Sequence, residues 1–219
     1  MELPQPEVNE RLAHLLNRVI SLYQDNRLIK ENENFWAARA ALNFNQPGRT
    51  DRGIFSIYLF NLVYLNPGEA IFQGAGIPHA YLEGQNMEIM ANSDNVLRGG
   101  LTNKHVDVDE LMKNIRFQPT VPEIIKAKEY LPPEETYPTS AADFQLNRIR
   151  LKNGEAISII PHTTEIYFVF KGSVIASDNV VDLPLHKGDA MLAIPGNKLS
   201  FLTKEESVIF RATVPYSHE

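Results

Sequence analysis

The residues of this chain that can do chemistry gather between His79 and Lys104. His79 stands in "NPGEAIFQGAGIPHAYL" (66–82), held between Pro78 and Ala80. A histidine offers a ring nitrogen to a metal or a proton. One histidine is a poor metal site, however, and a lone histidine among apolar residues can equally be a hydrogen-bonded structural group. Behind it come Tyr81, Glu88, Asp94, Arg98 and Lys104, in "PHAYLEGQNMEIMANSDNVLRGGLTNKHVDV" (78–108). A carboxylate can serve as a base or orient one. Arginine is a permanently charged planar donor for an oxyanion or a phosphate, and lysine can do either job. Each residue also has a plainer reading. Glu88 can face solvent or pair with Arg98, Asp94 in "NSDN" is a good turn residue, Lys104 and His105 can be surface residues before a helix, and Tyr81 can be core. The sequence does not divide the roles among these groups. His14, His162, His186 and His218 read as structural or surface residues.

The elements that must position this run can be read from periodicity. Leu12, Leu15, Leu16, Val19, Ile20 and Tyr23 recur at three- and four-residue steps and predict a helix. "ENFWAARAALNF" (33–44), rich in helix formers, predicts a second. "NQPGRTDRG" (45–53) breaks it. "IFSIYLFNLVYL" (54–65) is β-branched and aromatic and predicts a strand ending at the Asn66-Pro67-Gly68 turn. "EAIFQG" and "NMEIMA" predict two more short strands. "HVDVDELMKNIRF" (105–117) predicts a helix capped by Asp107, with Glu110 at capping-box spacing. Pro119, Pro122, Pro132, Pro133 and Pro138 make 118–142 too proline-rich for a regular element and mark it as a linker. From Phe144 onward, "FQLNRIRL", "AISII", "EIYFVF", "SVIAS", "AMLAI", "LSFL" and "SVIFRATV" alternate with short turns, several carrying glycine. Strands so spaced imply a small antiparallel sandwich or barrel.

Composition narrows the classes. The 219 residues are 43% hydrophobic and 22% charged, an ordinary globular balance for one large domain or two small ones. With Cys 0, disulfides, thiolate zinc sites, iron–sulfur clusters and cysteine nucleophiles are excluded. A net charge of −6 argues against nonspecific nucleic-acid binding but leaves room for a phosphorylated small molecule held by local Arg and Lys. No apolar run approaches a membrane span, and the acidic, polar start "MELPQPEVNERL" does not read as a secretory signal. The expected location is the cytoplasm.

An internal echo connects the two halves. "LNPGEAIFQGAGIPHAY" and "LHKGDAMLAIPGNKLSF" share a turn, a Gly-acidic pair, a short strand and a second Gly/Pro turn. This resembles the second half of a cupin jelly roll, with Gly68, Gly76 and His79 at the spacing of the second cupin motif and Gly74 where proline is common. In the later copy, "HTTEIYFVFKG" resembles the first cupin motif through His162, Glu165 and Gly172. There Thr164 stands where a second histidine would be, and the partner turn has Lys198 and Leu199 in place of a ligand. The run from Gly53 to Phe117, and "ANSDNVLRGGLT" above all, closely resembles the type I phosphomannose isomerases, which interconvert mannose 6-phosphate and fructose 6-phosphate at zinc. The resemblance is weaker before Glu33 and in the second barrel.

The resemblance implies a mainly β, bicupin fold with an N-terminal helical segment (1–52), the second half of a catalytic cupin (53–117), a linker (118–142) and a C-terminal metal-free cupin (143–219). It implies His79 as a zinc ligand, Arg98, Glu88 and Lys104 as catalytic, and Tyr81, Asp94 and Lys104 as substrate-binding. Asn103 departs from the proline usual before that lysine. Aldose–ketose isomerisation through an enediol needs a Lewis acid, a base, and cations for oxyanion and phosphate. The family's other ligands come from a Gln-x-His pair and a Glu in a Lys-Pro-Glu segment, and neither motif occurs here. The chain therefore reads as part of a longer enzyme, as one complemented by a second polypeptide that supplies the missing cupin strands, or as a shortened non-catalytic homologue that binds sugar phosphate or serves in assembly. No nucleic-acid or membrane partner is expected.

Overall fold

The structure, a computed structural model, describes residues 2–93 and 95–215. The contacts divide it into two compact units: Met1–Tyr64 with Gln73–Asn86 and Ser93–Pro122, and Leu65–Phe72 with Met87–Asn92 and Glu123–Glu219.

The first unit is helical. In α1 (Gln5–Gln24) the positions Val8, Leu12, Leu16 and Val19 fall on one face and are buried. They pack against Ala37, Ala38, Ala40 and Ala41 of α2 (Glu33–Phe44), whose small side chains let the two helices approach closely. The Asn32 side chain caps α2 by accepting from the Asn34 N–H at 2.8 Å. The stretch that the sequence marks as a strand from Ile54 is instead a short helix, α3 (Ile54–Leu59), followed by irregular chain to Asn66. Ile54 is fully buried in the α1–α2 cluster, and Phe55, Ile57 and Tyr58 pack against the same cluster. Helical spacing brings these residues onto the helix pair, and this packing outweighs their β preference. Further on, α4 (Val108–Asn114) starts as the sequence suggests, with Asp107 accepting from the Glu110 N–H at 2.9 Å.

The second unit is β. β1 (Glu69–Ile71) pairs antiparallel with β2 (Ile124–Lys126). "NMEIMA", expected as a strand, forms no regular element. The proline-rich stretch expected to be irregular contains β2 and a hairpin, β3 (Lys128–Leu131) and β4 (Glu134–Thr136), which turns at Pro132-Pro133. Beyond it lie β5 (Gln145–Leu151), β6 (Ala156–Ile159), β7 (Glu165–Lys171), β8 (Ser173–Ser177), β9 (Asp182–His186), β10 (Ala190–Ala193), β11 (Leu199–Leu202) and β12 (Ser207–Thr213). They form a six-stranded sheet, β10-β7-β12-β5-β4-β3, and a four-stranded sheet, β6-β11-β8-β9, antiparallel throughout. Alternate residues of both sheets, among them Ile149, Leu151, Tyr167, Val169, Val174, Phe201 and Ile209, fill the space between them.

Three buried positions of the larger sheet are charged. Arg211 on β12 is 6% exposed and faces Glu165 (1%) and Glu134 (2%). Its Nε and Nη2 donate to the two oxygens of Glu165 at 2.8 and 2.6 Å, and its Nη1 donates to Glu134 at 2.8 Å. Asn147 and Tyr167 add bonds of 2.6 Å to Glu134 and Glu165. Burial pushes the Glu165 carboxyl up, but the hydrogen bonds and charge of Arg211, with the Tyr167 hydroxyl, outweigh it and hold the carboxyl below the usual range.

Candidate functional site

The segment that carries His79 has no regular structure, so turns and tethers position it. Gly76 lies in the left-handed region at φ +77°, and its carbonyl accepts from the Arg116 N–H at 2.9 Å just past α4. A Cβ on Gly76 would stand 2.7 Å from the Asn114 carbonyl oxygen, so both the conformation and the space require glycine. His79 follows, exposed, with Nδ1 3.0 Å from the Ile77 carbonyl oxygen. A carbonyl can only accept, so Nδ1 is the donor of this bond, and Nε2 is the ring nitrogen left to meet a ligand. Metal-ligating histidines commonly make such a bond from their other ring nitrogen to a backbone carbonyl. The Tyr81 ring packs edge-on to the His79 ring, centroids 6.0 Å apart.

Arg98 sits on a loop held by close backbone contact. Gly100, at φ +119°, lies against Gly53, and a Cβ on Gly100 would come within 2.8 Å of the Gly53 Cα. One oxygen of Asp51 accepts from the N–H groups of both Gly53 (2.7 Å) and Leu101 (3.1 Å) and staples the two segments together. Arg98 itself is half-buried. Lys104 is exposed, its N–H bonded to the Thr102 hydroxyl at 3.1 Å. Glu88 is exposed and falls in the other compact unit. Asp94, like His218, lies outside the described residues. Of the expected site residues, the structure brings His79 and Tyr81 together. His14, His162 and His186 are exposed.

A catalytic zinc takes three protein ligands. Among the described residues, no group of three or more His, Asp or Glu side chains could hold a metal ion. His79 fits as one ligand, and the described residues alone do not complete a site. Sequence reasoning also passed over Glu83, which binds Lys30 and Arg39 immediately after the His79 segment. An acidic residue inside the "PHAYLEGQ" run was the available signal.

The two packed antiparallel sheets, with the glycine turns between their strands, define a cupin-type jelly roll, preceded by an incomplete first barrel. No family model matches the chain. It is 34% identical over 213 residues to mannose-6-phosphate isomerase from Salmonella typhimurium, covering 91% of this chain and 51% of that protein. It is 28% identical over 210 residues to mannose-6-phosphate isomerase 1 from Arabidopsis thaliana, covering 95% of this chain and 47% of that one. The crystal structure of the Salmonella typhimurium isomerase with zinc and its substrate fructose 6-phosphate superposes with a TM-score of 0.65 at 29% identity, covering 97% of this chain and 59% of that chain. The chain is a homologue of the phosphomannose isomerases, and it spans about half the length of the curated relatives it matches. No helix among the described residues is long and apolar enough to cross a membrane.

Proposed function

We propose that this chain carries part of the active site of a zinc-dependent aldose–ketose isomerase that interconverts mannose 6-phosphate and fructose 6-phosphate. The observation that carries this reading is the His79 segment. Its histidine sets Nδ1 against a backbone carbonyl, which supports a ligand role through Nε2, in a chain alignable over nearly its whole length with isomerases of that name. Bound zinc would act as a Lewis acid on the sugar oxygens. His79 would hold the metal through Nε2. Arg98, on the loop stapled by Asp51, would face an oxyanion or the phosphate. Lys104 would share that task, and Glu88 would move or orient the carbon-bound proton. Tyr81 and Asp94 would line the sugar pocket. The residues 53–117 would then form the second half of a catalytic cupin, 143–219 a metal-free one, and the remaining zinc ligands would come from a further segment, in a longer chain or in a second polypeptide.

The absence of a three-ligand group among the described residues favours one alternative, a non-catalytic cupin that binds sugar phosphate or serves in assembly. Zinc content and isomerase turnover separate the readings. The purified chain is expected to hold less than stoichiometric zinc and show no turnover. Adding a fragment that carries the Gln-x-His and Lys-Pro-Glu segments should give both. Turnover by the chain alone would overturn the incomplete-site reading, and a mixture that binds sugar phosphate without turnover would favour the binding module.

A further inference from the structure

The His79 segment is tethered at both ends. Upstream, the Gly76 carbonyl is bonded to the Arg116 N–H. Downstream, the two oxygens of Glu83 accept separately, one from Lys30 Nζ and the other from Arg39 Nη1 at 2.5 Å. The residues that bear both cations are anchored at Trp36, Lys30 through its backbone and Arg39 through its side chain. The Lys30 carbonyl accepts from Trp36 Nε1 at 2.7 Å and from the Tyr64 hydroxyl. The Arg39 guanidinium lies 5.6 Å from the centre of the Trp36 ring. Trp36 is buried in α2, so the downstream tether ends on a rigid element. Between the tethers the chain makes no ladder of its own, and His79 and Tyr81 are exposed.

We propose that Glu83 is a positioning residue: by binding Lys30 and Arg39 at once it fixes the exit of the His79 segment and so holds the imidazole with Nδ1 on the Ile77 carbonyl and Nε2 presented outward. The proposal rests on reading His79 as a ligand. The physical logic is that a ligand on irregular chain is only as well oriented as its tethers. Ring orientation and tautomer are set by the bond made by the other nitrogen. That bond lies two residues from the ring and persists only while 77–83 keeps its path. A carboxylate shared by two cations from separate segments restrains that path in two directions.

The test needs neither zinc nor substrate, so it can fail independently of the isomerase reading, which zinc content and turnover decide. In the full chain at pH 8, side-chain nitrogen NMR of His79 should show the Nδ1–H tautomer. Glu83→Gln should shift it toward a mixture of tautomers and speed amide exchange of 77–83 several-fold, and 1 M salt should act on the parent in the same direction because these ion pairs are exposed. Glu83→Asp should recover part of the parent signal. Glu31→Gln, which removes an exposed charge nearby, should leave it unchanged. Trp36 fluorescence should be the same in all of these. An unchanged His79 tautomer and unchanged exchange in Glu83→Gln would overturn the proposal. So would a loss of protection throughout α1 and α2, since Glu83 would then be a general stabiliser of the helical unit.

Discussion

Replacing Gly100 by Ala should disrupt the Arg98 loop, and the structure separates two causes. The first is conformation: φ at Gly100 is +119°, a region that costs an L-residue about 1–3 kcal/mol. The second is space: the new Cβ would lie 2.8 Å from Gly53 Cα and 2.9 Å from Gly53 N, and backbone cannot swing aside as a side-chain end can. Overpacking of this kind costs about 1–3 kcal/mol. The two together predict a loss of about 2–6 kcal/mol. Two controls isolate the causes. Gly48 sits at φ +73° with nothing within 4 Å of its Cβ position, so Gly48→Ala should cost only about 1–2 kcal/mol. Gly53 has φ −60° but would meet Leu101 Cγ at 2.8 Å and Leu101 N at 2.9 Å, so Gly53→Ala should show the crowding alone. The assay is urea unfolding followed by the single tryptophan, Trp36, which lies in the same helical unit. If Gly100→Ala costs no more than Gly48→Ala, the close backbone contact is not what holds the Arg98 loop, and the explanation given for this pair of glycines is wrong.

Other consequences can be measured as directly. Arg211→Met removes the only cation facing two buried carboxylates among the described residues and should destabilise the barrel by about 3–5 kcal/mol at pH 7. Glu165 is held below its ordinary value in the parent, so its contribution is present above the unfolded carboxyl value of about 4.3 and is lost as pH falls through the depressed one. The gap between parent and variant should therefore narrow on acidification, as read by hydrogen exchange of β5, β7 and β12; a gap independent of pH would mean the charges are not the cause. Asp107→Ala removes the cap of α4, a short helix with little else to nucleate it. It should raise α4 amide exchange by an amount equivalent to about 1 kcal/mol and leave the barrel unchanged.

How much of this was legible in the sequence depended on how local its causes are. α1 and α2 could be read because their apolar spacing and their breakers lie within the segments themselves. The barrel strands could be read for the same reason, except β9. There Pro184 argues against a strand, but β9 is the edge of its sheet, where proline removes no ladder bond. β3 and β4 were obscured likewise: Pro132 and Pro133 form the turn of a hairpin whose outer strand is the edge of the larger sheet. Ile54 to Leu59 looked like a strand because residue type was the only local signal. The deciding contact, burial against α1 and α2, is not local. Within the site, the His79–Lys104 run stood out as a run. Glu83 did not, because its partners Lys30 and Arg39 are 53 and 44 residues away.

The internal echo gives His79 a counterpart in the second half of the chain. Gly68 and Gly188 take φ of +90° and +96°, and Gly76 and Gly196 take +77° and +105°. The two copies thus share their left-handed turn positions as well as their residue pattern. Counting on from these turns, the place of His79 in the first copy is taken by Leu199 in the second. Leu199 begins β11 and is buried between the sheets of the complete barrel. The two copies share their turn positions up to this point, but only the second runs on into a strand. In the second copy the side chain is a leucine packed in the apolar cluster between the two sheets. In the first copy the side chain is an exposed histidine with Nδ1 against the Ile77 carbonyl oxygen. Substituting Leu199 by His should accordingly destabilise the second barrel by about 1–3 kcal/mol, the cost of burying an unpaired polar group. If the variant were as stable as the parent, the side chain would not point inward there, and the equivalence between the two positions would fail.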